Sequence, residues 1–150
     1  MIQRKQTLFL LLAVILAVVT LSLPIADLTA GGWKSGQLYC LMLADANGSY
    51  HYAVWPLFVL LLAAAAISTV AIFLYKRRPL QARLCLLAMV VYLLWYLVLA
   101  FFSKQLAPDA ADFHLSVTTL LPLASAVLCF MARRGILADE RLVRAADRLR

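Results

Sequence analysis

Residues 84–102 read LCLLAMVVYLLWYLVLAFF and contain no Asp, Glu, Lys or Arg. A helix needs about 20 apolar residues to cross a hydrocarbon core that is about 30 Å thick. Each charged residue at the centre of such a helix would raise the free energy of insertion by about 2.5–3.5 kcal/mol, so membrane insertion requires this lack of charge. The stretch therefore predicts a transmembrane helix.

Three more stretches of the chain share this pattern. We predict membrane spans at about residues 8–26, 53–75, 84–102 and 117–132, followed by a tail at residues 133–150. The chain is 65% hydrophobic, which leaves too little polar surface to cover a water-soluble globule. Because the connections are short, we predict one domain over residues 1–150. Its fold class is an all-α membrane protein, a four-transmembrane-helix bundle with a small extracytoplasmic β-hairpin and a short cytoplasmic C-terminal helix.

The distribution of charge predicts the orientation in the membrane. If the N-terminus is cytoplasmic, all but two of the 14 basic residues lie inside, the exceptions being Lys34 and Lys104. The positive-inside rule then places both termini in the cytoplasm. The basic residues inside are Arg4, Lys5, Lys76, Arg77, Arg78, Arg83, Arg133, Arg134, Arg141, Arg144, Arg148 and Arg150. They lie at the membrane edge, where anionic lipid attracts them, so the expected partner is membrane lipid and not nucleic acid.

The first outer connection is long enough to have structure of its own. The runs Gln37–Leu43 and Ser49–Trp55 flank Asn47-Gly48, a dipeptide that favours the two-residue turn of a β-hairpin. Pairing Ala46 with Ser49 would place Leu43 opposite Tyr52. One face of this hairpin would then lie on the membrane surface or on the helices, and it would carry Tyr39, Leu41, Leu43, Tyr50, Tyr52 and Val54.

The tail has the pattern of a cytoplasmic amphipathic helix over residues 135–150. Asp139 and Glu140 lie in its first turn and arginines lie toward its end, which matches the helix dipole. An apolar stripe of Ala138, Leu142, Ala145 and Leu149 runs beside a basic side. We predict a surface for a partner or for lipid, formed by Arg141, Leu142, Arg144, Arg148 and Leu149. The alternative is that these arginines only enforce topology and solvate the tail.

The third span carries Tyr92, Trp95 and Tyr96 near its centre, at a spacing that puts all three on one side. A tyrosine hydroxyl in the membrane needs a hydrogen-bond partner, so we expect an intramembrane polar and aromatic cluster that faces the other helices. Its expected partners are Ser68, Thr69 or Ser125. A lining for a lipid or hydrophobic ligand is the alternative.

Residue types that carry catalysis are sparse. The candidate metal ligands outside the membrane include Cys40, His51 and His114, and the spacing Asp112-x-His114 is not a zinc signature. The spans contain no acid that could relay protons, and the chain has no glycine-rich phosphate loop. We therefore predict no enzyme activity and no catalytic, metal or cofactor site.

The two ends of the chain carry a family resemblance. The opening MIQRKQT at residues 1–7 and the tail RRGILADERLVRAADRLR at residues 133–150 resemble an uncharacterised membrane family of Bacteroidetes-type bacteria, domain of unknown function 4293. The resemblance implies four helices in a bacterial inner membrane with a periplasmic outer side. It carries over no activity and no catalytic residue.

These patterns together favour a noncatalytic role. We expect an inner-membrane accessory or partner-binding subunit of a membrane complex, its partner being another protein or a second copy of this chain. A lipid- or hydrophobic-ligand-handling protein is the first alternative. A small channel or transporter is the second, although the spans lack the mid-depth charge or broken helix that transporters usually show.

Overall fold

The computed structural model describes residues 3–30, 32–45, 47–75, 77–106 and 113–147. Within these residues the chain is mostly helical, with a small antiparallel sheet. The helices are α1 (Gln3–Ser22), α2 (Trp55–Phe73), α3 (Arg78–Leu106) and α4 (Leu121–Asp147), the last preceded by a short 3-10 helix at Val117–Leu120. The strands are β1 (Ala26–Ala30), β2 (Trp33–Leu38), β3 (Leu43–Asp45), β4 (Tyr50–His51) and β5 (Phe113–Leu115).

The described residues include three helices that are long and apolar enough to cross a membrane, at Trp55–Phe73, Arg78–Leu106 and Val117–Val143. The apolar part of α1, Gln6–Ser22, is shorter. Large apolar side chains remain on the outside of these helices: Phe73 is 74% exposed and Leu97 is 69% exposed. Such a surface is unfavourable in water and is typical of helices that contact lipid.

The helices contact one another in a ring. Helix α1 packs against α2 and α4, and α3 also packs against α2 and α4. Small side chains such as Ala13, Ala64 and Cys129 are fully buried at these contacts, which allows the backbones to approach closely.

The C-terminal segment differs from its prediction. Instead of a separate helix beginning at Gly135, α4 continues without a break from Leu121 to Asp147. A glycine inside a helix costs about 1 kcal/mol relative to alanine. Here the missing side chain makes room for α1, because a Cβ at Gly135 would lie 3.1 Å from Cγ of Gln6. The glycine thus marks a helix–helix contact and not a helix boundary.

The predicted hairpin is part of a larger element. All five strands form one antiparallel sheet in the order β4-β3-β2-β1-β5. Its buried side includes Ala26, Leu28 and Leu38, and it covers the end of the helices at which α1 ends and α2 begins. The sheet is fixed there through Ile25, whose carbonyl accepts hydrogen bonds from Ser116 N at 3.0 Å and from Thr119 Oγ1 at 2.6 Å.

The hairpin register was predicted wrongly by one residue. Leu43 pairs with His51, where the prediction had Tyr52. A two-residue type I′ turn needs a positive φ at both central residues. Gly48 has a φ of +79°, but Asn47 has no positive φ. The loop therefore has three residues, closed by hydrogen bonds from Asp45 N to Ser49 O and from Gly48 N to Asp45 O, both at 3.0 Å.

The predicted strand Gln37–Leu43 is also divided. A turn closed by a 2.8 Å hydrogen bond from Tyr39 N to Met42 O separates β2 from β3. The side chains of Tyr39 and Leu41 therefore do not continue the face of β3, as the predicted hairpin required.

Candidate functional site

The aromatic cluster of α3 fastens that helix to its neighbours. Trp95 is fully buried, and its Nε1 donates a hydrogen bond to the carbonyl of Leu57 in the first turns of α2 at 3.1 Å. Its ring meets Tyr96 edge to face, with the ring centroids 5.0 Å apart. The hydrogen bond joins α3 to α2, whereas the ring contact lies within α3.

Tyr96 contacts the start of α4 and none of the partners that we predicted for it. Its hydroxyl donates to the carbonyl of Thr119 and accepts a hydrogen bond from the backbone N–H of Leu123 at 3.0 Å. The first N–H groups of a helix lack partners within that helix, so the tyrosine acts as a cap from a neighbouring chain segment.

Tyr92 lies in the small polar centre between the helices. Its hydroxyl is buried beside Ser68 and Ser125, and among the described residues no hydrogen bond of normal geometry joins it to either serine. The two serines donate instead to backbone carbonyls, Ser68 to Ala64 at 2.9 Å and Ser125 to Ala13 at 3.1 Å. Hydroxyl and thiol groups arranged in this way support packing, and they offer no charged group for acid–base chemistry.

On the sheet side, the polar groups form local pairs. His51 Nε2 lies 3.1 Å from Asp45 Oδ2, and Lys34 Nζ lies 3.5 Å from Asp27 Oδ2. Cys40 is buried, and this burial raises the pKa of its thiol to about 12, so the thiol is protonated at neutral pH. No group of three or more His, Cys, Asp or Glu within the described ranges could hold a metal ion. Asp112 lies outside those ranges.

The opposite end of the molecule carries the predicted C-terminal surface. We call residues 135–147 the α4 extension. Its first turns pack on the rest of the protein: Ile136 is 1% exposed, and Asp139 Oδ2 accepts a hydrogen bond from Gln6 Nε2 at 2.6 Å. The extension therefore has a fixed base.

Beyond this base the described side chains of the α4 extension are exposed. Arg141 is exposed, Leu142 is 65% exposed and Val143 is 45% exposed. The side chain of Arg144 is not described, and Arg148 and Leu149 lie outside the described residues. Of the five residues predicted to form a partner or lipid surface, the two with described side chains are both exposed.

A second feature of this end was not predicted. A cleft of about 320 Å³, the α3–α4 cleft, lies between the start of α3 and the base of the α4 extension. Its walls are Pro79, Ala82, Arg83 and Leu86 of α3 and Arg133, Leu137 and Glu140 of α4. The sequence does show that the residues of each wall share one helix face, since they recur at spacings of three and four. The cleft was missed because only the contact between the two helices makes the two walls face each other.

Comparison with known proteins adds a family and no activity. No curated protein matches the chain. The family profile described as "Domain of unknown function (DUF4293)" matches residues 2–149. The match covers nearly the whole chain, and the protein therefore belongs to the DUF4293 family.

Proposed function

We propose that this chain is a noncatalytic accessory subunit of the bacterial inner membrane, with both termini in the cytoplasm, that binds a protein partner through the α4 extension. The observation that carries this proposal is a helix with a fixed base and an exposed apolar and basic end. Insertion into a membrane does not require such an extension.

The membrane placement draws on three features of the structure. Besides the three candidate spans, the apolar part of α1 at Gln6–Ser22 corresponds to about 25 Å of helix, a little less than the hydrocarbon thickness. The basic residues separate by end: Lys34 lies on the sheet, whereas Arg78 and Arg134 lie at the opposite end. This separation supports a bundle of four spans with the sheet outside.

The orientation predicts the results of reporter fusions. A reporter inserted at Asn47, which is exposed in the β3–β4 loop, is expected to be active only if it works outside the cytoplasm. The same reporter fused after Arg150 is expected to be active only if it works inside. The matched pair uses one reporter at both sites, and periplasmic activity of the C-terminal fusion would contradict the orientation.

The partner surface combines exposed Leu142 and Val143 with the charge of Arg141. An amphipathic helix of this kind binds by placing its apolar side in a groove, while basic side chains select an acidic rim. The lipid-handling alternative through the aromatic cluster has less support, because Tyr92 and Trp95 are fully buried and Trp95 and Tyr96 are held by hydrogen bonds to backbone.

Truncation after Glu140 is expected to abolish copurification of the partner from native membranes while the protein still accumulates there. This end point retains Ile136 and the contact of Asp139 with Gln6, so the base of the α4 extension keeps its packing. Charge reversal of Arg141, Arg144 and Arg148 should have the same effect. The measurement is quantitative crosslinking and affinity purification of the full-length and altered chains.

The matched control for the charge reversal compares Arg77→Glu with Arg141→Glu, since each reverses the charge of one exposed arginine at the same end of the protein. Arg77→Glu should retain the partner. If the truncated chain recovers every partner of the full-length chain, the α4 extension is not the partner surface.

A further inference from the structure

We propose that the α3–α4 cleft binds the headgroup of an anionic glycerophospholipid. The proposal rests on the membrane placement above but not on the partner surface of the α4 extension. The cleft has the three features that such a ligand needs. These are a position at headgroup depth, positive charge that is not paired with a described carboxylate, and an apolar wall.

The depth follows from the position of the two arginines. Arg83 comes directly before the charge-free stretch 84–102, and Arg133 comes directly after the charge-free stretch 117–132. The two helices therefore bring both guanidinium groups to the same boundary between hydrocarbon and headgroups. Basic pockets between helices at this level of a membrane are suited to lipid phosphate groups.

The positive charge of the cleft is available to a ligand. Neither Arg83 nor Arg133 forms a salt bridge with a carboxylate among the described side chains. Nε of Arg133 is a buried donor with no described hydrogen-bond partner. A buried donor left without a partner is unfavourable, and a charged one is more so. An oxygen-rich anion beside this guanidinium would supply acceptors that the protein does not.

The first turn of α3 adds to the attraction. It contains no acidic residue, so the positive end of the helix dipole is not neutralised there. Glu140 lies on the α4 side of the cleft, where its negative charge opposes this attraction. Glu140 also interacts with another group of the protein. The lining therefore carries two positive charges and one negative charge.

The size and the apolar wall favour a lipid over a free anion. A volume of about 320 Å³ lies at the small end of the range for ligand pockets, which suits a headgroup and not a whole lipid. Leu86 lies one helical turn into the membrane from Arg83 and is 38% exposed, where the first part of an acyl chain would pass. Free phosphate would make no use of Leu86 or Leu137.

The test measures phosphatidylglycerol binding to the purified full-length chain by native mass spectrometry. We expect Arg83→Gln and Arg133→Gln each to weaken binding about fivefold, the effect of one basic residue at an anionic surface. Arg134→Gln is the matched control, since Arg134 is the next residue of α4, is exposed and does not line the cleft. It should leave binding unchanged.

Two further arms separate the proposal from loss of folding and from simple anion binding. Glu140→Gln is expected to strengthen binding, a result that a misfolded protein would not give. Phosphatidylcholine should bind more weakly than phosphatidylglycerol, and glycerol 3-phosphate should not displace the lipid. Equal losses for Arg133→Gln and Arg134→Gln, or displacement by glycerol 3-phosphate, would overturn the proposal.

The same assay also separates this proposal from the proposed function. The chain truncated after Glu140 keeps every residue that lines the cleft. It should therefore lose its protein partner and still bind phosphatidylglycerol. Loss of lipid binding in this truncated chain would place the lipid on the α4 extension and contradict the cleft as the site.

Discussion

Replacing Trp95 by Ala is expected to lower the free energy of unfolding by about 3 kcal/mol, at the lower end of the range for removing a large aromatic side chain from a protein core. Trp95 is fully buried, so its removal leaves a cavity between α2 and α3 and frees the carbonyl of Leu57. We expect the lower end because, in the membrane placement proposed above, lipid tails are themselves apolar and part of the hydrophobic transfer energy found in water is absent.

A second variant tests how much of this loss of unfolding free energy comes from the hydrogen bond of Trp95. Trp95→Phe removes the Nε1–H donor and part of the buried ring system, so it should cost more than about 0.6 kcal/mol, the mean for hydrogen bonds within membranes, and less than Trp95→Ala. Leu97→Ala is the control, because Leu97 is on the same helix and is 69% exposed. It should change stability little. The measurement is reversible unfolding in mixed micelles. An equal loss for Leu97→Ala and Trp95→Ala would contradict the packing described for α3.

The helices could be predicted from the sequence because a long stretch without charge is a signal to which each residue contributes separately. A charge within a span is costly whatever its neighbours are, so the charge-free stretch 84–102 identifies α3 without any knowledge of its contacts. The ends of the helices were less predictable. Helix α3 begins at Arg78 and ends at Leu106, beyond the charge-free stretch at both ends, because charged residues can continue a helix without belonging to that stretch. Helix α4 continues through Gly135, and the contact of this glycine with Gln6 could not be read from the sequence, because the two residues are far apart in the chain.

The sheet could be predicted only where one short segment decides the structure. Asn47-Gly48 indicated the β3–β4 hairpin correctly, but the register depended on which of the two residues has a positive φ. Strand β5 pairs with β1 across most of the chain, and its three residues are too few to be recognised as a strand. Strand β1 does alternate apolar and polar residues over Ala26–Ala30, and the prediction missed this pattern. The α3–α4 cleft was hidden for the same reason, since it exists only after two distant helix faces meet.

Gly36→Ala is expected to destabilise the sheet by about 1–3 kcal/mol, the usual cost of adding atoms to a well-packed region. Gly36 lies in the middle of the sheet, paired with Leu28 of β1 and with Asp45 of β3. A Cβ at this position would lie 2.8 Å from the carbonyl oxygen of Ala44. Backbone atoms cannot move aside as a flexible side chain can, so β2 and β3 would have to separate.

The comparison with Gly48 shows which property of glycine matters at each position. Gly48 has a φ of +79°, but a Cβ there would meet nothing within 4 Å, so Gly48→Ala costs only the strain of a left-handed residue, about 1–2 kcal/mol. Asn tolerates that conformation, and Gly48→Asn should restore most of the stability. Gly36→Asn should not, since the obstacle at position 36 is contact and not conformation. Thermal unfolding together with hydrogen exchange at the β3 amides measures both effects. Recovery by Asn at position 36 would show that β2 and β3 do not approach as closely as the structure has them.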